Sequence, residues 1–148
     1  MFRDPAQFDL DRFVAAQRGV FGTALEELRS GRKRSHWMWF IFPQLRGLGH
    51  SASSHRYGVV NAGEAAAYLA HPLLGARLRE ATDAVLALRD VSVSEIFGSP
   101  DDLKFRSCMT LFAAVAFRDS QFDGALARYF GGVPDDRTLG LLAQNGGV

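Results

Sequence analysis

Along most of the chain, apolar residues recur every three or four positions, which is the spacing of helices that bury one face. The most regular run follows Pro72, a residue suited to the first turn of a helix, and predicts the longest or second-longest helix of the protein. Its core positions are Leu74, Leu78, Ala81, Val85 and Leu88. A second regular run over about 100–117 predicts the central helix. Its apolar face comprises Phe105, Cys108, Leu111, Phe112 and Val115.

Local start and stop signals support several shorter helices. Asp9 or Asp11 can cap a first helix that ends near Arg18, and Gly31 suits the left-handed position after a second helix over about 20–30. Asn61 resembles the start of a capping box and predicts a helix through residue 70. The stretch SPDD at 99–102 supplies a cap, a first-turn proline and two acids for the central helix. Two last helices are predicted over about 119–130 and 135–142.

The middle of the chain has no clear period. The apolar stretch SHWMWFIFPQ at 35–44 favours a short helix capped by Ser35 and ended by Pro43. LRGLGHSASSHRYG at 45–58 is typical of a loop, and VSVSEIF at 91–97 of a connecting turn. No repeat or linker divides the chain. We therefore predict one compact all-α domain over 1–148 with about seven or eight helices, and short strands in the middle as the alternative.

Composition excludes several classes of protein. Hydrophobic residues form 47% and charged residues 22% of the chain, which is typical of globular domains and unlike disordered ones. The single cysteine, Cys108, allows no internal disulfide and lies on a face predicted to be buried, where a thiol is inert. The acidic N-terminus and the lack of a long apolar run argue against a signal peptide and a membrane span. We expect a cytoplasmic protein.

The charges are unevenly distributed, although the net charge is only +1. Six of the 17 basic residues, but none of the 16 acidic ones, lie between Leu28 and Gly63, so the rest of the chain carries a net charge of −5. Within this basic segment, His36, Trp37 and Trp39 follow a run of three cations. Aromatic faces stack on bases while arginines neutralise phosphates, so the pattern suits a nucleotide or single-stranded nucleic acid. The alternative is that both tryptophans belong to the core.

A second candidate lies in the loop from Gln44 to Tyr57. Its glycines, together with Ser53 and other serines, offer amides and hydroxyls beside Arg46, and such donors can hold an anion. The loop matches no known phosphate-binding motif, so a plain surface loop is the alternative.

A third candidate is the start of the central helix. Asp101 and Lys104 share one side with the part of the apolar face that begins at Cys108. They form either a plain ion pair or, with Ser107 one turn further on, part of a pocket. The sequence contains no metal-ligand spacing and no serine-hydrolase motif, and we therefore assign no metal and no cofactor. His71, before Pro72, is expected to cap or pack at a helix junction.

Three motifs carry a resemblance to a known family. They are SHWMWFIFPQLRGLGHS at 35–51, EAAAYLAHPLLGARL at 64–78 and IFGSPDDLKFRSCMTLF at 96–112. The chain resembles the bacterial family called domain of unknown function 1810. Some members are labelled calpastatin, a disordered protease inhibitor, but an aromatic-rich domain with apolar helical faces argues against that label.

The chain is also similar, in helical order and in its early aromatic block and late lysine-bearing helix, to the NAD- and ADP-ribose-associated superfamily. That resemblance implies removal or processing of ADP-ribose adducts. The superfamily's catalytic glutamate has no counterpart in residues 28–63, which leaves Glu64 or Asp101 as its substitute.

These observations lead to one main hypothesis and two alternatives. The main hypothesis is a pocket for a nucleotide-like ligand, with N-glycosidase activity on ADP-ribosylated or NAD-like substrates. Asp101 or Glu64 would assist the reaction, Lys104 would stabilise developing charge, and Arg46 and the serines would hold phosphates. The first alternative is a non-catalytic module that binds RNA or an acidic protein. The second is a scaffold in which every motif is packing.

Overall fold

The computed structural model describes residues 8–144, which form ten helices and no strand. The all-α prediction is therefore confirmed. In chain order the helices are α1 (Asp11–Gln17), α2 (Phe21–Arg29), α3 (Met38–Ile41), α4 (Ala52–Arg56), α5 (Ala62–Ala70), α6 (Leu74–Leu86), α7 (Val93–Phe97), α8 (Asp101–Val115), α9 (Gln121–Phe130) and α10 (Asp136–Gln144). In place of the short strands given as the alternative, this range holds one isolated parallel bridge between Leu45 and Val59.

Helix α8 is central, as the periodicity predicts. It packs against α5, α7, α9 and α10, and four of its five predicted core residues are fully buried, with Val115 half-buried. Phe105 stacks on Phe97 at a centroid distance of 4.6 Å and meets the edge of Phe42 at 5.0 Å. These aromatic contacts tie α7 and the segment after α3 to the central helix.

Two short helices were not predicted. The loop at 45–58 contains α4, whose N-terminus is capped by Ser51, and the turn at 91–97 is α7, which begins with a complete capping box from Ser92 and Glu95. Each has only five residues, too few to show a helical period. These two helices account for most of the difference between the seven or eight helices expected and the ten that residues 8–144 form.

Several predicted caps differ in detail. Ser35 does not cap α3, because its amide and hydroxyl both bond to Glu27 of α2. Helices α1 and α8 start without a side-chain cap. Asn61 caps α5 as expected, but the Glu64 side chain turns away from the capping-box position. His71 Nδ1 accepts from the amides of residues 73 and 74, which confirms its role at the junction between α5 and α6.

That junction requires a glycine at position 75. A Cβ on Gly75 would lie 2.1 Å from the carbonyl oxygen of Leu69, so alanine forces the two helices apart. We expect Gly75→Ala to lower the free energy of unfolding by about 1–3 kcal/mol, although alanine is the better helix former. Gly124→Ala in α9, where a Cβ meets nothing within 4 Å, should instead leave stability equal or higher. Urea unfolding of both variants tests this, and equal effects would contradict the contact.

Candidate functional site

Five side chains from the basic segment and the start of α8 form a lysine–tryptophan cluster: Lys33, Trp37, Trp39, Asp101 and Lys104. The Asp101 carboxylate pairs with Lys33 Nζ at 3.0 Å and with Lys104 Nζ at 3.2 Å. Lys33 lies 5.2 Å from the centre of the Trp37 ring, and Lys104 lies at the same distance from Trp39. The plain ion pair predicted for Asp101 and Lys104 is thus present, within a larger arrangement that joins it to both tryptophans.

The cluster has two ammonium groups and one carboxylate, so it carries an excess of positive charge. The side chain of Lys33 is 9% exposed and that of Asp101 is 19% exposed, whereas Lys104 is 28% exposed. Lys104 is therefore the cation that an incoming anion can reach. Its position over Trp39, which is half-buried, places charge and an aromatic ring side by side.

The two tryptophans differ, and the prediction for Trp37 needs correction. Trp37 is fully buried, and its indole N–H donates to Glu27 at 3.0 Å, so no face of this ring can stack on a ligand. The core alternative holds for this residue. Trp39 keeps an exposed part, and His36 beside it is exposed with no partner among residues 8–144.

Glu27 organises the segment that leads into the cluster. Its buried carboxylate accepts from the amides of Arg34 and Ser35, the Ser35 hydroxyl and the Trp37 indole. Burial raises the pKa of Glu27, but these four hydrogen bonds favour the charged form and together lower it to about 2. The sequence does not mark this residue as special, because a glutamate on a short amphipathic helix normally faces solvent.

The loop of Gln44 to Tyr57 is folded around α4. The Arg46 amide donates to the carbonyl of Val59, and the Gln44 carbonyl accepts from the amide of Val59 in return. Arg46 Nε donates to the carbonyl of His55 at 2.8 Å, which leaves its two terminal nitrogens without an acceptor within the described range. The ring of Tyr57 meets Phe40 of α3 at 5.4 Å. This contact is the link between the loop and the helix that carries Trp39.

Two glycines, Gly49 and Gly58, allow the loop to pack closely on itself. Ser53 lies within α4, the short helix of this loop. A Cβ at Gly49 would lie 2.7 Å from Ser54, and one at Gly58 would lie 2.7 Å from Arg46. The carbonyl of Ser53 accepts from the amide of Tyr57 and so closes α4. The loop thus has a defined shape built from its own contacts.

Glu64 is in a different place from the one its predicted role requires. Its carboxylate is buried and forms a two-point pair with Arg12 at 2.8 and 3.0 Å, and it also accepts from the amide of Val60. Arg12 further donates to the carbonyls of Arg56 and Gly58. The pair anchors the end of the loop, and none of the described contacts joins Glu64 to Asp101.

Ser107 also serves the fold. It is buried, and its hydroxyl lies 3.2 Å from the carbonyl of Leu103 and 3.3 Å from the carboxylate of Asp135. Asp135 in turn accepts from the amide of Thr138 in the first turn of α10. The predicted ligand-binding role of Ser107 is therefore replaced by a contact that holds α10 on α8.

Three further observations concern the thiol, the metal-ligating side chains and the lengths of the helices. Burial raises the pKa of Cys108 well above its ordinary value, which agrees with an inert thiol. Among residues 8–144, no three His, Cys, Asp or Glu side chains lie close enough to share a metal ion. The helices in the same range are all too short or too polar to span a bilayer.

Comparison with known proteins identifies the family. The sequence profile of the family described as "Protein of unknown function (DUF1810)" matches residues 7–142. The chain belongs to this family. It is also similar to the conserved hypothetical protein Rv1873 from Mycobacterium tuberculosis, whose crystal structure is known. The two are 56% identical, the match covers 95% of this chain and 99% of that one, and the TM-score is 0.91. No curated protein sequence matches.

Proposed function

We propose that this protein binds a small anionic ligand of the nucleotide type where Trp39 and Lys104 meet. The observation that carries the proposal is the reachable ammonium of Lys104 over the half-buried indole of Trp39. An ammonium that is already balanced by one shared carboxylate can take a phosphate oxygen as a further partner. When Lys104 turns toward that phosphate, the ring beneath it becomes a stacking face for a base.

The loop from Gln44 to Tyr57 supplies the second part of the proposed site. The two terminal nitrogens of Arg46 can form a two-point contact with a phosphate, which suits the planar guanidinium. Gln44, Ser53 and His36 are proposed as further polar contacts around the ligand, and Tyr57 as support for the ring of Phe40. Trp37, Ser107 and Glu64 are left out, because their groups are engaged in the fold.

The proposed reaction is hydrolysis of an N-glycosidic bond in an ADP-ribosylated or NAD-like substrate. The bond between the sugar's anomeric carbon and the base nitrogen breaks, and its electron pair leaves with the nitrogen. Water supplies a hydroxyl group to the carbon. Its remaining proton goes to the leaving nitrogen of an ADP-ribosylated substrate, or to solvent when neutral nicotinamide leaves an NAD-like substrate. Asp101 is the acidic residue of the lysine–tryptophan cluster. Its ionised carboxylate would orient the water and stabilise positive charge on the sugar. The choice of substrate rests only on the resemblance to the NAD- and ADP-ribose-associated superfamily that the helical order and motifs of the sequence suggest.

Calorimetric titration with ADP-ribose, NAD and AMP tests the proposal. We expect saturable binding to at least one of them, and a loss of about tenfold or more in affinity for Lys104→Ala, because a charge-assisted hydrogen bond is removed. Arg89→Ala is the matched control, since Arg89 is exposed and lies outside the cluster. Unchanged melting temperatures would show that both variants remain folded. If none of the three ligands produces heat, the nucleotide proposal is wrong.

Asp101→Asn then separates binding from chemistry. For a hydrolase, this variant should keep ligand affinity within a few-fold and lose release of the free base, which chromatography of the reaction mixture measures. For a binding protein, the wild type itself releases no base.

One observation favours the alternative of a module that binds RNA or an acidic protein. Arg32, Arg34 and His36 are all exposed, and within residues 8–144 their side chains have no charged partner. Contacts between such exposed cations and RNA phosphates release counterions, so affinity for an RNA oligonucleotide would fall steeply as the salt concentration rises. Affinity for a nucleotide held at a partly buried cluster would fall much less. Repeating both titrations at two salt concentrations distinguishes the two functions.

A further inference from the structure

The turn between α8 and α9 presents a phenylalanine to solvent. Phe117 is 95% exposed, while the next most exposed large hydrophobic residue in the described range, Leu103, is 56% exposed. Single apolar residues on a surface are common, so the meaning of this ring depends on what lies beside it. Asp119, two residues later, has a positive φ of 60°, a left-handed backbone conformation within the same turn.

A groove of about 370 Å³ lies directly beside this ring. Its floor is made of small apolar side chains from α5 and from the end of α8, including Ala66, Ala70 and Val115, and Phe117 itself forms one wall. Arg79 of α6 closes the groove on another side, with a guanidinium nitrogen that donates to the carbonyl of Leu69. The surface thus holds an exposed ring and an apolar groove next to each other.

We propose that this surface is where two copies of the chain associate through a two-fold axis. A two-fold contact places the same patch of both copies face to face, so a ring beside a groove on one copy meets a groove beside a ring on the other. Each Phe117 then fills the partner copy's groove, and each Arg79 lies over the inserted ring in a cation–π contact. The same patch therefore supplies both the ring and the groove of the interface, as a two-fold contact requires.

The charges around the ring favour the same arrangement. Arg118 and Asp119 follow Phe117 directly, both are exposed, and neither side chain has an ion-pair partner between residues 8 and 144. When two such turns meet in opposite directions, the Arg118 of each copy comes close to the Asp119 of the other. The patch is small, and small interfaces support weak, reversible dimers. We therefore expect a Kd for the dimer of roughly tens to hundreds of micromolar.

Sedimentation velocity over a range of protein concentrations tests this proposal. The wild type should shift from monomer to dimer as concentration rises. Phe117→Ser should raise the concentration at the midpoint by at least about tenfold, because a central aromatic anchor is lost on both sides. Its melting temperature at low concentration should be unchanged, since the ring is exposed. Val133→Ser, at a residue that is 52% exposed but lies outside the groove, should leave the midpoint unchanged.

The charged pair provides an independent measurement. Arg118→Glu should weaken the dimer by placing like charges together, whereas Arg118→Lys should retain it. A protein that stays monomeric at every concentration overturns the proposal. So does a dimer that is equally stable with Phe117→Ser, because its interface would then lie elsewhere.

Discussion

Replacing Arg12 with alanine is expected to lower the free energy of unfolding by about 3–5 kcal/mol. The side chains of Arg12 and Glu64 are only 8% and 2% exposed, and they form a two-point ion pair. Alanine leaves the Glu64 carboxylate buried with the single amide of Val60 as its donor. The carbonyls of Arg56 and Gly58 lose a donor at the same time. Urea unfolding followed by circular dichroism measures the loss.

The exposed ion pair of Arg29 and Glu80 is the matched control for this prediction. Its side chains are 63% and 49% exposed and 3.5 Å apart, so Arg29→Ala should cost no more than about 1 kcal/mol. A double variant, Arg12→Leu with Glu64→Leu, should be more stable than Arg12→Ala, because no uncompensated charge remains buried. If Arg12→Ala and Arg29→Ala cost the same, the Arg12 pair does not hold the fold together.

The free energy of unfolding should fall more steeply in acid for the wild type than for a variant that lacks the Glu27 carboxyl. The pKa of Glu27 is about 2 in the folded protein and 4.5 in a free side chain. A group whose pKa is lowered by folding stabilises the protein fully above its unfolded pKa, and this contribution disappears as pH falls from about 4.5 toward 2. The full contribution is about 3 kcal/mol, of which about 2 kcal/mol should be lost between pH 6 and pH 3.

Glu27→Gln provides the comparison, since it keeps the size of the side chain and removes its titration. The free energy of unfolding is measured for both proteins at pH 6 and at pH 3. We expect the variant to be less stable at pH 6, because an amide nitrogen meets backbone amide donors, and to lose about 2 kcal/mol less than the wild type between the two pH values. Parallel losses in the two proteins would show that the hydrogen bonds to Glu27 do not set the acid response.

Much of the fold follows from local sequence. The periodic runs place the ends of α6 and α8 within about two residues of their positions in the structure. They also identify buried residues such as Leu78 and Phe112 correctly. The short helices α4 and α7 were missed, because a helix of five residues owes its stability to its neighbours more than to its own pattern. The polar composition of these two segments is as typical of loops as of short helices.

The candidate site was predictable only where its residues are close in sequence. The pair of Asp101 and Lys104 follows from a spacing of three on one helix. The contribution of Lys33 to the same carboxylate does not, since 68 positions separate the two residues. Likewise, nothing in the pattern of the aromatic block distinguishes Trp37 from Trp39. Burial of the first depends on Glu27 of α2, which lies outside that block.

The sequence by itself therefore determined the helical class, the central helix, the uneven charge and the family. Each of these depends on residue types or on spacings within one element, and the period of a helix makes those spacings readable. Only the tertiary structure decided which aromatic ring is buried, that Glu64 pairs with Arg12 52 positions away, and that Phe117 projects beside a groove. These features depend on how separate helices pack, because packing brings distant side chains together and takes others out of solvent.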